Sequence, residues 1–256
     1  MTRVPIALEL YSVRNDLQQD VAGTLAAVAK MGYEGVEFAG GAPASGPELR
    51  KMLDDNGLVC CSWHTPFAAV QDDQLAATIE LNQAVGNPSV IVPGLPGHLV
   101  STRDGWLKMA DFFNELTDKL APHGMFTGYH NHHTEFQPLD GEWPWDTFFG
   151  HTRAEVVMQL DTGNALRGGA ESLPILQRYP GRGRSIHLKP FKTGCAPIDA
   201  GFKPLIGEDS IPWAEVFAVC EAQGKTEWYI VEYESDAYPP LEAVDRCLQA
   251  LKAMGK

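Results

Sequence analysis

The nine residues from Gly128 to Phe136, GYHNHHTEF, place His130, His132 and His133 beside Asn131 and Glu135. Imidazole and carboxylate side chains together suit a divalent cation. Histidines also gather on surfaces by chance, and a turn recruits asparagine for its own hydrogen bonds, so the segment needs company from elsewhere in the chain. That company is Glu9, Glu37, Asp161 and Glu232, with His64, His187 and Lys189, each at or near the end of a short β-rich run. Buried carboxylates cost several kcal/mol unless paired or metal-bound. A divalent cation is the simplest partner for a group of them. The competing reading is a set of structural salt bridges to Lys189 and Arg14.

The elements that must position these groups follow one order. A β-rich run such as VPIALEL, GVEFAG or LVCCSWH is followed by a stretch with helical spacing, and the alternation continues through SVIVPG, MFTGYHNH, VVMQLDTG, RSIHLKP and WYIVEYES. This makes about eight βα units. Gly32, Gly57, Gly86, Gly124 and Gly224 stand where helices should end, with a new strand a few residues on, and short αβ loops imply parallel strands. The pattern predicts an α/β fold, a single (β/α)8 TIM barrel spanning residues 1–256, with its site at the C-terminal strand ends; a doubly wound open sheet is the runner-up.

Strand parity then assigns faces, because one alternate set packs under the helices and the other points into the barrel. Ile6, Leu8 and Leu10 leave Glu9 inside; Val36 and Phe38 leave Glu37 inside. In the third run Cys60, Ser62 and His64 share the inner face, opposite Cys61 and Trp63. Val156, Met158 and Leu160 oppose Val157, Gln159 and Asp161, and Ile186 and Leu188 oppose His187 and Lys189. Tyr229 and Val231 oppose Ile230 and Glu232. Asp161, His187 and Glu232 therefore converge. On the fifth strand either His130 or Glu135 can join them, Glu135 being the preferred ligand, while His132 and His133 are read as loop or rim residues. Trp143 and Trp145 are read as rim aromatics that stack on a sugar or on a second subunit.

The chain has 256 residues, 44% hydrophobic and 21% charged, and a net charge of -13. That charge repels phosphate backbones and anionic membranes, so no nucleic-acid or membrane partner is expected. The five cysteines are odd in number and lack CxxC spacing, which fits reduced thiols in a cytoplasm. MTRVPIALELYSV has neither the apolar region nor the cleavage site of a signal peptide, and no apolar stretch is long enough to span a bilayer. No Gly-rich phosphate cradle followed by Lys and Ser/Thr occurs.

With LELYSVR, MGYEGVEFAG, GYHNHHTEF, QLDTGNA, SIHLKP, IGEDSIPW and WYIVEYES in this order, the chain resembles the xylose isomerase-like TIM barrels. These are the sugar phosphate isomerase/epimerase family that includes inosose dehydratase and the ketose 3-epimerases. The resemblance implies a divalent metal ion (Mn²⁺, Mg²⁺ or Co²⁺, with Zn²⁺ possible) held by residues of the fifth to eighth strands, here Glu135 or His130, Asp161, His187 and Glu232. The sequence departs from the family in three places. The epimerases carry a Glu on the fifth strand where His130 stands; many relatives have an Asp where Pro190 follows Lys189; and Asn164 is often a His.

These residues imply an enzyme that binds a carbohydrate or cyclitol and removes a proton beside a polarised carbonyl. Glu232 or Glu135 would be the base, with Lys189 and His64 stabilising an enediolate. Glu37, His130, Asn164 and Trp145 would contact substrate. The leading expectation is a metal-dependent sugar isomerase or epimerase. The alternative is a lyase acting on a keto-cyclitol or 3-keto-glycoside, and behind it stands a sugar-binding barrel without catalysis. A phosphodiester-cleaving enzyme of the same barrel type would want more His ligands and a basic surface. A homo-oligomer is compatible with all of these.

Overall fold

The structure, a computed structural model, describes residues 3–223 and 225–256. Eight parallel strands close into a barrel in sequence order. They are β1 (Ile6–Glu9), β2 (Gly35–Ala39), β3 (Val59–His64), β4 (Ser89–Val92), β5 (Phe126–His130), β6 (Val157–Asp161), β7 (Ser185–Leu188) and β8 (Trp228–Val231). β1 closes the barrel against β8, with Ala7 opposite Ile230. Around the strands run α1 (Arg14–Gln19), α2 (Val21–Met31), α3 (Gly46–Asn56), α4 (Leu75–Val85) and α5 (Arg103–Leu120). The ring continues through α6 (Pro144–His151), α7 (Thr162–Arg167), α8 (Ser172–Arg178), α9 (Trp213–Gln223) and α10 (Pro240–Ala253). No helix among the described residues is long and apolar enough to cross a membrane.

Helix ends follow the sequence signals. α3 opens on a capping box, in which Glu48 accepts from both the backbone N and the Oγ of Ser45. Gly32, Gly57 and Gly86 close α2, α3 and α4 in the left-handed conformation, and Gly124 does the same after the turn that follows α5. Gly224 lies outside the described residues.

The outward rows of the strands pack under the helices in one large core, which includes Leu8, Val36, Phe38, Tyr129, Met158, Leu160, Ile186, Leu188, Tyr229 and Val231. A smaller cluster of Ala7, Cys61 and Ile230 fills the barrel interior beneath the site. Cys61 corrects the parity reading of the third strand. Between β2 and β3 the register runs Val36 to Cys60 and then Glu37 to Ser62, so Cys61 is an extra, bulged residue. The bulge lets Cys61 and Ser62 both turn inward and still delivers His64 to the mouth.

Gly128 sits where β5 packs closely against β4 and β6. A methyl group there would stand 2.5 Å from the carbonyl oxygen of Val157 and 2.7 Å from Ile91 Cδ1, and a strand carbonyl cannot rotate away without breaking its ladder. Gly128→Ala is expected to cost about 1–3 kcal/mol, read as a fall of roughly 2–10 °C in Tm. An unchanged Tm would show that β5 does not approach β6 this closely.

Candidate metal centre and active site

The inner row at the C-terminal strand ends is polar and buried: Glu9, Glu37, His64, His130, Gln159, Asp161, His187, Lys189 and Glu232 are each at most 5% exposed. Their hydrogen bonds fix protonation states by elimination, since an ionised carboxylate only accepts. Glu37 Oε1 accepts from Gln159 Nε2 at 2.8 Å. Gln159 therefore turns its carbonyl oxygen toward His64 Nε2 at 2.6 Å and His130 Nδ1 at 3.0 Å, and both nitrogens must carry hydrogen. His64 Nδ1 meets Glu9 Oε1 at 2.9 Å, so His64 is doubly protonated. Burial opposes that charge, but Glu37 and Glu9 lift its pKa to about 9.

His187 lies between two carboxylates, with Nε2 2.6 Å from Glu37 Oε2 and Nδ1 2.7 Å from Glu232 Oε2. Burial favours its neutral form, yet Glu37 and Glu232 hold its pKa well above the usual imidazole value. In return His64 and His187 overcome burial at Glu37 and hold it at about 2. Lys189 Nζ donates to Glu232 Oε1 at 2.6 Å and also to Glu234. Against the effect of burial, Lys189 and His187 keep Glu232 well below the carboxylate range.

Three groups in this ring are not satisfied, one of them Glu9, whose Oε2 is buried with no hydrogen-bond partner among the described residues. His130 has its Nδ1 hydrogen on Gln159, which leaves the Nε2 lone pair facing Asp161 Oδ2 at 3.8 Å. Asp161 Oδ1 caps α7 by accepting from the backbone N of Asn164 at 2.6 Å, but Oδ2 is buried with no hydrogen-bond partner among the described residues. Burial and Glu232 push the Asp161 pKa well up, and burial and His187 push His130 well down. One ligand atom from each of His130, Asp161, His187 and Glu232 can be chosen so that all four lie within 4.8 Å of one another. Two imidazole nitrogens and two carboxylate oxygens at that spacing fit a divalent cation. The Nε2–H of His187 on Glu37 and the Nδ1–H of His130 on Gln159 are the outer bonds that orient such ligands.

Above the floor opens a cavity of about 1140 Å³, lined among others by Glu9, His64, His130, Asn164, Lys189 and Glu232. His132 and His133 stand at its rim, as the sequence implied, exposed and half-buried respectively. Three expectations change. Glu135 is not among the converging ligands: its Oε1 accepts from Tyr129 Oη at 2.8 Å and its Oε2 from the backbone N of His132 at 2.9 Å. Tyr129 points outward into the aromatic core, so Glu135 braces the loop behind β5 and does not line the cavity. Glu37 is fully enclosed below the cavity and contacts His187 and Gln159 in place of substrate. Trp145 is fully buried, its ring centroid 4.4 Å from that of Phe149 and 5.4 Å from that of Phe136. It follows Pro144 at the start of α6, and its indole faces the core side of that helix.

Sequence reasoning also passed over three residues. Gln159 was placed on the inner face but given no task, although it joins three site residues. Asn131 accepts from Asp161 N at 2.8 Å and donates to Asp161 O at 3.1 Å, stapling the ends of β5 and β6. Glu234 continues the inner parity of β8 past Glu232 and lines the cavity; burial and Glu232 raise its pKa to about 7.

A family model for the xylose isomerase-like TIM barrel matches residues 25–254. The chain belongs to that family. Inosose dehydratase of Geobacillus thermodenitrificans is 25% identical over 242 residues, covering 82% of this chain and 80% of its own. A sugar phosphate isomerase/epimerase from Parabacteroides distasonis superposes with a TM-score of 0.80 at 23% identity, covering 98% of each chain. An L-ribulose 3-epimerase does so with a TM-score of 0.71 at 17% identity, over 99% of this chain and 94% of that one. As a xylose isomerase-like barrel the protein is an enzyme, and it carries His130, Asp161, His187 and Glu232 on the ends of β5 to β8.

The relocated residues should behave as parts of the core. Trp145→Ala is expected to cost about 3–5 kcal/mol in urea or thermal unfolding, and Glu135→Ala about 1–3 kcal/mol because Tyr129 loses a buried acceptor. A Trp145→Ala protein as stable as the parent would return the indole to the rim.

Proposed function

We propose that the protein is a divalent-metal-dependent enzyme that removes a proton from the carbon beside the carbonyl of a keto sugar or keto-cyclitol. The observation that supports this is the buried, unpartnered Oδ2 of Asp161 among the donor atoms of His130, His187 and Glu232. An ion held there would polarise a carbonyl and acidify the adjoining C–H.

The chain's own groups then divide the work. Glu232 lines the cavity and is the base. Lys189 and His187 make it a weak one, so it accepts a proton only from a carbon that has been strongly acidified. Lys189 is itself kept protonated by Glu232, Asp161 and Glu234 in spite of burial and serves as a donor, not a base. His64, a cation at the cavity wall, stabilises negative charge developing on a substrate oxygen.

Among the outcomes open to such a site, elimination is the one the geometry favours over epimerisation or isomerisation. Epimerisation needs a second group to return the proton on the opposite face. The fifth-strand position that holds a Glu in the epimerases holds His130, whose Nδ1 is committed to Gln159, and both nitrogens of His64 are hydrogen-bonded. One base with a neighbouring ammonium suits loss of a β-oxygen: the C–H proton passes to Glu232, the C–O bond breaks with its electron pair on oxygen, and Lys189 supplies the proton. The names of the inosose dehydratase relatives point the same way.

Elemental analysis of protein purified without chelator should find about one divalent ion per chain, as the set of four converging His and carboxylate donors implies. Asp161→Ala and His187→Ala should lose it, while His133→Ala keeps it; the reverse pattern would sink the assignment. Glu232→Gln should lower turnover by about 10²- to 10⁴-fold with substrate affinity largely kept. In D₂O, a panel of inososes, ketoses and 3-keto-glycosides decides the outcome. Elimination yields an unsaturated ketone and a released water or alcohol, epimerisation an inverted, deuterated carbon, and no exchange with any ketone would end the proton-abstraction reading.

A further inference from the structure

The cavity above the floor has two unlike halves. Its lysine and arginine lining residues, Arg167, Lys189 and Lys203, follow β6 and β7, on the side that carries the four converging ligands. The loops after β1, β3 and β4 face them with Tyr11, Phe67, Leu95 and Pro96. Tyr11 is 43% exposed, and the other three are half-buried. Above Glu9 and His64 no charged residue of this side lines the cavity; the Arg14 guanidinium stacks on the Tyr11 ring, 4.3 Å from its centroid, from outside that lining.

Size and polarity together constrain what fills such a space. Pockets for drug-sized molecules run to about 300–1,000 Å³, and this one, at about 1140 Å³, is far larger than one sugar ring lying on the floor. A phosphorylated substituent reaching toward β1, β3 and β4 would meet no lining cation except His64, which Glu9 already pairs, in a chain of net charge -13. An apolar substituent would cover the exposed face of Tyr11 and the side chains beside it, and would bury them in the same cavity as the reacting carbon.

We propose that the substrate is a keto sugar bearing an apolar group through a glycosidic or ether oxygen, with its ring on the polar floor and that group against Tyr11, Phe67, Leu95 and Pro96. This rests on the reading that the floor binds a polyhydroxylated ketone. It deepens that reading, because the oxygen that joins the two parts is then a natural leaving group for a base at Glu232 and a donor at Lys189. The proton leaves carbon for Glu232, the bond from carbon to the bridging oxygen breaks, and the oxygen departs as an alcohol or phenol.

The test uses the full chain loaded with Mn²⁺ and two probes, methyl and phenyl 3-keto-β-glucoside, followed by calorimetric titration. The phenyl compound should bind about 10- to 100-fold more tightly, as burial of one aromatic ring allows. Tyr11→Ala and Leu95→Ser, changes at exposed and half-buried positions, should bring that ratio below about threefold while the melting temperature stays near the parent's. Equal binding of the two probes by the parent, or a ratio that neither variant moves, overturns the proposal but leaves the function reading intact. So does a Tyr11→Ala change whose effect is to dissociate a dimer, which would make the apolar wall an interface with a second copy. If neither probe binds and no ketone exchanges deuterium, the function reading fails and this proposal with it.

Discussion

Everything at the mouth of this barrel depends on Glu37, a carboxylate with no exposure to water. Such a charge is tolerated only when it is fully paired. Here both oxygens are used: one by the Gln159 amide, the other by His187, with His64 Nε2 3.3 Å away. Those contacts fix the amide orientation of Gln159, which fixes the hydrogen on His130 Nδ1 and so leaves its Nε2 free. They also fix the Nε2 hydrogen of His187 and thereby direct its Nδ1 at Glu232. The ligand atoms of two strands are thus aimed by one residue on a third, at the depth where solvent screens least.

The division of labour across the barrel follows from the strand order. Neighbouring strands β5 to β8 bring His130, Asp161, His187 and Glu232 within reach of one another. Asp161 and His187 are register partners, while Asp161 and Glu232 lie two residues beyond Gln159 and Ile230, the partners of His130 and His187, an offset that the stagger of tilted barrel strands takes up. β1 and β3 supply the Glu9–His64 pair that balances the other side. The family relation places the protein among the xylose isomerase-like barrels, while the proposal of elimination over epimerisation rests on what each imidazole is already bonded to.

Much of this was legible from alternation alone. Glu9, Glu37, Asp161, His187 and Glu232 each follow a clean apolar row, and a period-2 pattern has one solution when the outer face must be greasy. β3 was harder because Cys61 is bulged, and a bulge leaves no mark in residue types that are small on both faces. Past the strand ends the period has no force, which is why Glu135 and Trp145 were misplaced. A glutamate six residues after a tyrosine can fold back on it, and a tryptophan after a proline can begin a helix facing inward, but neither contact is implied by spacing. The amide of Gln159 was visible and unread, since a neutral side chain among charged ones draws attention only when its partners are known.

Because Gln159 serves His64, His130, Glu37 and Ser185 at once, no floor position changes alone. Replacing one member strands two or three others, and their costs do not add as independent sites would. Viable sequences of this barrel are therefore separated by compound steps, in which an acid, an amide and an imidazole are exchanged together. A histidine on β5 and the amide beneath it form one such inherited set, and a carboxylate placed on β5 would find Gln159 presenting the wrong end of its amide.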